Sequence, residues 1–167
     1  MDREESGLEG RAAGQPVFSE GSWTDGAGVR QGIELKPVSF SAKVIRHGRN
    51  PTHLGRMEPN DASASKVGWC GEVMEIYLRF DGDQIAEASF WADGCLSTMA
   101  CGDMLTSLAQ GMSLEDAGAI TAEELIAALD GLPFKSHHCA ELSVETLREA
   151  IATRAGNGRL SSGSKEQ

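Results

Sequence analysis

The stretch VMEIYLRFDGDQIAEASFWADGC, residues 73–95, decides the fold class of this chain. In its first part every second residue is apolar, at Met74, Ile76, Leu78 and Phe80. This period is typical of a strand that is buried on one face only. Asp81-Gly82-Asp83 is a turn signal into a second strand. The stretch therefore predicts an antiparallel hairpin, with strands over residues 73–80 and 84–92.

A third strand and a long helix are predicted on either side of the hairpin. Residues 64–69 have strand character, and they precede the hairpin closely enough to join its sheet. After Cys95 the apolar residues change to the 3,4 spacing of a helix, which Gly111 ends. The change of period places Cys95 where the sheet meets this helix.

Capping patterns predict the remaining helices. Ser39 is the predicted N-cap of an opening helix that ends at Asn50-Pro51, because the residue before proline avoids helical backbone. Capping-box patterns at Ser113 and Thr121 begin two short helices, and Ser143 is the predicted N-cap of a final helix. We expect an α+β fold in which about five helices pack with a small three-stranded antiparallel sheet.

Composition divides the chain into three parts. Residues 1–38 are rich in Gly, Ser, Glu and Asp without any periodicity, and they are predicted to form a flexible N-terminal extension. The folded domain is expected over residues 39–154, and residues 155–167 are predicted to be a flexible C-terminal tail. A chain of 167 residues with 40% hydrophobic content can form one compact core.

The charge and hydropathy patterns exclude several classes of function. The net charge is −10, and residues 68–154 carry four basic against fifteen acidic side chains, so nucleic acid is not an expected partner. No run of about 18 apolar residues exists that could cross a membrane. The first twenty residues are acidic and lack the apolar core of a signal peptide, so a cytoplasmic location is predicted.

Three of the four cysteines lie in contexts that predict one shared metal site. The segments are Gly68-Trp69-Cys70-Gly71-Glu72, Asp93-Gly94-Cys95 and His137-His138-Cys139. Because they are far apart in the chain, the fold has to assemble such a site from three element ends at one edge of the domain. The three thiolates, with Glu72 or His138, form a ligand set for zinc or iron. Only one of His137 and His138 is expected to be a ligand.

The position of the fourth cysteine and the absence of two catalytic motifs limit the kinds of site that the sequence can form. Cys101 lies about 240° around the helix from Cys95, so it is predicted to be a core residue. No CxxC pair of a disulfide oxidoreductase and no HExxH motif of a zinc hydrolase occurs. Temporary binding of metal and sulfur is the favoured interpretation, and a structural zinc module and three unrelated buried cysteines remain as alternatives.

In order and spacing, these segments resemble the iron-sulfur cluster assembly scaffold proteins of the IscU and NifU N-terminal type. The similarity runs from about Ser39 to Arg154. Its pieces are Phe40 to His47, Asn50-Pro51, Leu54-Gly55, Cys70-Gly71-Glu72, Phe90 to Cys95, and His138-Cys139. The chain is more similar to IscU than to the SufU branch, because it has His138 and no long insertion before the third cysteine.

The resemblance implies a scaffold, and not an enzyme, that builds a transient [2Fe-2S] cluster from iron and persulfide sulfur and transfers it to apo-proteins. The implied cluster ligands are Cys70, Cys95 and Cys139, with Cys139 as the persulfide acceptor. Glu72 stands in place of the family's aspartate, and together with His138 it is the implied labile or additional ligand.

The implied partners are a cysteine desulfurase, apo iron-sulfur client proteins, and a protein of the ferredoxin or frataxin type. Leu132-Pro133-Phe134-Lys135 departs from the family's Leu-Pro-Pro-Val-Lys motif, which argues against recognition by the dedicated Hsp70 chaperone. The alternative function is that of a zinc-dependent sulfurtransferase of the SufU type. In that case zinc occupies the same ligands, sulfur is accepted from the desulfurase, and no cluster forms.

Overall fold

The computed structural model describes residues 39–158 and has the predicted α+β architecture. The bounds of its elements are α1 Ala42–Arg49, β1 Ala62–Val67, β2 Val73–Asp81, β3 Gln84–Asp93, α2 Leu96–Ala109, α3 Leu114–Ala119, α4 Ala122–Ala128, the 3₁₀ turn Phe134–Ser136, and α5 His137–Gly158. The predicted extension over residues 1–38 and most of the predicted tail, residues 159–167, lie outside the described residues.

The three strands form one antiparallel sheet in the order β1-β2-β3. Ile76 of β2 pairs with Phe90 of β3, and both side chains are fully buried. Met74 and Leu78 are also fully buried, so the predicted inward face of β2 is confirmed at these three positions, whereas Phe80 is only partly buried, at a shift in the strand register. Burying an aliphatic side chain of this size stabilises the fold by about 1.5–3 kcal/mol. The alternation in the sequence thus selects the face of the sheet that carries the core.

Helix α2 is the central helix, and most of its residues are buried. Gly102 makes close packing possible, because a Cβ atom at this position would lie only 2.4 Å from Cδ2 of Phe90. The backbone of α2 therefore packs directly against the aromatic ring on β3. Cys101 and Leu105 of the same helix are fully buried, which confirms the predicted core role of Cys101.

The N-cap of α1 is Ser41 and not Ser39. The Ser41 Oγ accepts a hydrogen bond from the backbone N–H of Val44 at 3.1 Å, as an N-cap residue does. Its hydroxyl also donates to the carbonyl of Leu129, at the end of α4. Both serines match the capping pattern, and the contact with Leu129 is a tertiary one that the local sequence does not contain.

Helix α5 begins before Cys139 and not after it. Pro133, with a φ of −55°, precedes the 3₁₀ turn that leads directly into the helix at His137. Ser143, the predicted N-cap, lies inside the helix and donates its hydroxyl to the carbonyl of Cys139 at 2.8 Å. The helix continues to Gly158 instead of ending near Arg154. Among the described helices, none is both long and apolar enough to cross a membrane.

A buried carboxylate, which the sequence analysis did not identify, joins α1 to α2. The Asp103 side chain is fully buried and accepts hydrogen bonds from Nδ1 of His47 at 2.6 Å and from the backbone N–H groups of Thr52 at 2.7 Å and His53 at 2.9 Å. Burial raises the pKa of this carboxyl, but the bonds from His47 and the backbone outweigh burial and hold the pKa below its ordinary value.

We expect the substitution Asp103→Ala to lower the free energy of unfolding at pH 7 by about 3–5 kcal/mol, because it breaks a buried charged network. The pKa of Asp103 is lower in the folded state than the unfolded value of about 3.9. The ionised carboxylate therefore stabilises the fold above that pH, and this stabilisation is lost as the pH falls through the folded-state pKa. Urea denaturation is expected to show a constant difference above about pH 5 that shrinks on acidification.

Glu149→Ala is the matched control, because this carboxylate is exposed and lies 3.8 Å from Nζ of Lys66. We expect it to change the free energy of unfolding by less than about 0.5 kcal/mol. A stability difference between wild type and Asp103→Ala that widens as the pH falls would contradict the role given to this carboxylate.

Candidate functional site

Cys70 lies at the tip of the turn between β1 and β2. The backbone N–H of Gly68 donates to the carbonyl of Glu72 at 2.7 Å and closes the turn. Gly71 has a φ of 84°, in the left-handed region that glycine adopts without steric cost. Cys70 is exposed in this turn. The turn thus exposes the Cys70 thiol to solvent, and the hydrogen bond between Gly68 and Glu72 fixes the backbone before and after it.

The other two predicted cysteine ligands lie at the beginnings of helices. Cys95 is the N-cap residue of α2 and is exposed, whereas Cys139 lies in the first turn of α5 and is only 1% exposed. Thr98 lies between them, with its Oγ1 3.4 Å from Sγ of Cys95 and 3.6 Å from Sγ of Cys139. One buried hydroxyl therefore connects two thiols that are distant in the sequence.

The ligand atoms of Cys70, Glu72 and His138 form a compact group, all within 4.8 Å of one another. Nε2 of His138 is 3.3 Å from Sγ of Cys70 and 3.2 Å from Oε1 of Glu72. The same nitrogen is 3.5 Å from Sγ of Cys139. His137 instead places its Nε2 3.2 Å from the carbonyl oxygen of Leu132. His138 is therefore the histidine of the pair that lies in the candidate site.

The Glu72 carboxylate is buried, yet neither of its oxygens makes a hydrogen bond. Nε2 of His138 is near, but it lies outside hydrogen-bond geometry. Gly68 leaves the space for this side chain, since a Cβ atom there would lie 2.6 Å from Oε1. Burying a carboxylate without partners is costly. A cation shared with the neighbouring sulfur and nitrogen atoms would offset that cost, so the donor set fits iron or zinc.

The surroundings of Cys95 and Cys139 give their thiols different acidities. Burial raises the pKa of the Cys95 thiol, but hydrogen bonds from Thr98 and from the backbone of Ser97 outweigh it, and the pKa lies below its usual value. Burial raises the pKa of the Cys139 thiol to about 12, opposed by the Thr98 hydroxyl and increased further by Cys95 and Glu72. Cys139 therefore stays protonated at neutral pH until a cation binds its sulfur.

An open cleft of about 460 Å³ is lined by Cys70, Glu72, Cys95 and His138, whereas Cys139 is buried and does not line it. Besides Gly71 and Gly94, four of its lining residues were not selected from the sequence as site residues: Asp93, Thr98, Lys135 and Ser136. Two of them had a local signal, because Asp93 directly precedes Gly94-Cys95 and Thr98 follows Cys95 by one helical turn. Lys135 and Ser136 reach the cleft through the 3₁₀ turn, which no periodicity in the sequence indicates.

Comparisons with known proteins place the described region in one family. The family model described as NifU-like N terminal domain matches residues 39–157. Over 114 residues the chain is 36% identical to iron-sulfur cluster assembly scaffold protein IscU 1 of Archaeoglobus fulgidus, an alignment that covers 67% of this chain and 74% of the relative. Over 120 residues it is 35% identical to the iron-sulfur cluster assembly scaffold protein IscU of Haemophilus influenzae. This alignment covers 69% of this chain and 94% of the relative.

A solved structure is similar in fold to the described region. A crystal structure described as that of a hypothetical protein has a TM-score of 0.58 and 28% sequence identity, over 66% of this chain and 95% of that one. The family match spans the three cysteine segments, and it confirms the resemblance that was inferred from them. The chain therefore belongs to the NifU-like N-terminal domain family, the IscU/NifU type of scaffold protein.

Proposed function

We propose that this chain is a scaffold on which an iron-sulfur cluster is assembled and from which it is transferred to apo-proteins. The observation that carries the proposal is the convergence of two exposed thiols, a buried carboxylate without a hydrogen-bond partner, and His138 at one open cleft, with the buried Cys139 in contact with His138. The relatives named as iron-sulfur cluster assembly scaffold proteins match nearly the same region of the chain, which supports this function.

A combination of thiolate, carboxylate and imidazole ligands makes the site suitable for binding a cluster temporarily. In the proposal Cys70, Cys95 and Cys139 hold the iron of a [2Fe-2S] cluster, and Glu72 and His138 are the labile or additional ligands. Thiolates bind iron firmly, whereas a carboxylate oxygen is exchanged more easily. A site of this kind holds its cargo while the cluster forms, and then loses it to a client protein that offers four cysteines.

The sulfur is proposed to arrive as a persulfide on a cysteine desulfurase, with Cys139 as the acceptor. As the Cys139 sulfur attacks the outer sulfur, a new S–S bond forms on Cys139 and the donor's S–S bond breaks, and the proton of the Cys139 thiol passes to the donor cysteine, which leaves as a thiol. Reducing the transferred sulfur to sulfide takes two electrons, for which a ferredoxin-type protein is the implied source. Because Cys139 is buried, docking of the donor has to expose its sulfur.

Two exposed aromatic side chains beside the cleft provide a surface for protein partners. Trp69 is 89% exposed and packs edge-on near the ring of His138, and Phe134 is 88% exposed and contacts the ring of His137. Aromatic residues are enriched in protein interfaces. We therefore place the contact with the desulfurase or with client proteins at this rim of the cleft.

The four cysteines are free thiols. Thiols persist in a reducing compartment, so the cytoplasm is the proposed location. Zinc can occupy the same ligands, and the chain would then act as a zinc-dependent sulfurtransferase that accepts persulfide sulfur without building a cluster. Reconstitution separates these two functions, because they require different metals in one site.

Anaerobic reconstitution with Fe²⁺, cysteine and a cysteine desulfurase is expected to give the visible absorption and Mössbauer spectra of a [2Fe-2S] cluster. These signals should decrease as an added apo-ferredoxin acquires its own cluster. Cys101→Ala is the matched control, because this cysteine is fully buried in the core outside the site, and it should form the cluster normally. Stoichiometric zinc that resists iron, with persulfide transfer and no cluster, would replace the scaffold function by the sulfurtransferase.

Cys139→Ser is expected to abolish persulfide acceptance, because the attacking sulfur is removed. Intact-protein mass spectrometry after incubation with the desulfurase and cysteine should show one added sulfur atom on the wild type and on Cys101→Ala, but not on Cys139→Ser. An adduct of equal yield on Cys139→Ser would assign the acceptor role to one of the exposed thiols, Cys70 or Cys95, instead.

Glu72→Ala is expected to slow cluster transfer to apo-ferredoxin by about tenfold, a barrier increase of about 1.4 kcal/mol, because the easily exchanged oxygen ligand is lost. Stopped-flow absorption of the reconstituted proteins measures this rate. Glu141→Ala, an exposed carboxylate in the first part of α5, is the control and should transfer at the wild-type rate. Equal rates for Glu72→Ala and wild type would remove the labile role from Glu72.

A further inference from the structure

Thr98 is the one fully buried threonine of the described helices whose hydroxyl hydrogen-bonds to sulfur alone. Threonines inside helices commonly bond to a backbone carbonyl one turn earlier. Thr106 does so with the carbonyl of Gly102 at 2.8 Å, and Thr146 with that of Leu142 at 2.7 Å. The Thr98 hydroxyl, in contrast, lies 3.4 Å from Sγ of Cys95 and 3.6 Å from Sγ of Cys139.

The backbone before α2 leaves the space for this arrangement. Gly94 has no side chain, and a Cβ atom there would lie 2.8 Å from Oγ1 of Thr98 and 2.9 Å from its Cβ and Cγ2. Any larger residue at position 94 would therefore displace the threonine. Full burial and β-branching restrict the Thr98 side chain to few rotamers. Gly94 and Thr98 together fix the direction of the hydroxyl toward the two sulfurs.

A hydroxyl in this position can serve both sulfurs at once. It has one proton to donate and two lone pairs that accept, so it can donate to Cys139 while it accepts from the thiol of Cys95, or donate to a thiolate. Groups that hydrogen-bond to metal ligands orient those ligands, and their loss typically weakens metal binding by about 10–100-fold. Thr98 has the contacts of such a group, although its oxygen is not one of the proposed ligands.

We propose that Thr98 is a positioning residue, whose hydroxyl holds the sulfurs of Cys95 and Cys139 as a pair that binds the same metal ion. This inference rests on the proposed function, because it takes both cysteines as ligands. Cys95 is exposed and Cys139 is buried, so the hydroxyl links the thiol that faces the cleft to the one beneath it. Without the hydroxyl, the two sulfurs are no longer held in a common orientation.

Titration of the full-length apo-protein with Co²⁺ tests this role, because thiolate-to-cobalt charge-transfer absorption reports how many sulfurs bind the ion. Thr98→Val removes the hydroxyl and keeps the volume. We expect it to lower Co²⁺ affinity by about 10–100-fold and to reduce the charge-transfer absorption per bound ion. Thr98→Ser keeps the hydroxyl and should restore both properties to nearly the wild-type level.

Thr106→Val is the matched control, since it removes an equally buried hydroxyl from the same helix that bonds only to backbone carbonyls. It should bind Co²⁺ as the wild type does. If Thr98→Val does not fold, as judged by circular dichroism, Thr98→Ser and Thr98→Ala are compared, because they differ only in the hydroxyl.

Wild-type affinity and absorption in Thr98→Val, or equal values for the Ser and Ala variants, would overturn the role of Thr98 alone. A wild-type protein without thiolate-to-cobalt absorption would overturn the proposed cysteine ligands as well. The two failures are therefore distinguishable, because the first appears only in the variants and the second already in the unmodified chain.

Discussion

The close packing of Gly102 against the ring of Phe90 determines where helix α2 lies, and the candidate site depends on that helix. A side chain at position 102 would have to occupy the volume of the ring, which would push α2 away from the sheet. On another side of α2, the buried Asp103 holds α1 and the loop after it through His47 and two backbone N–H groups. Because Cys95 is the residue at the N-terminal end of α2, these core contacts also set the position of a thiol.

The site consists of two groups with different chemistry. In the first, Cys70, Glu72 and His138 combine an exposed thiol with a buried carboxylate that has no hydrogen-bond partner. In the second, the Thr98 hydroxyl connects Cys95 to the buried Cys139. Nε2 of His138 links the two groups through its contact with Cys139. Burying a carboxylate without a hydrogen-bond partner lowers stability, and such groups typically occur in folded proteins at sites that bind a ligand.

Much of the fold was predictable because its signals are local. The alternation in β2, the turn at Asp81-Gly82-Asp83 and the capping box at Thr121 each lie within a few residues, and the structure confirms them. Asp103 could not be predicted, because a carboxylate in a helix usually faces water. Its partners come from α1 and the following loop, about 50 residues earlier in the chain.

By itself, the sequence determined the α+β class, the core face of the sheet, the residue types of the candidate site and the family, since these follow from periodicity and from the residue types near each cysteine. Only the tertiary structure decided that Cys139 is buried in the first turn of α5, that His138 and not His137 lies in the site, and that the Thr98 hydroxyl is directed at two sulfurs. The physical reason is that a side chain's partners are set when distant segments meet in the core, whereas propensity and capping act over one or two turns.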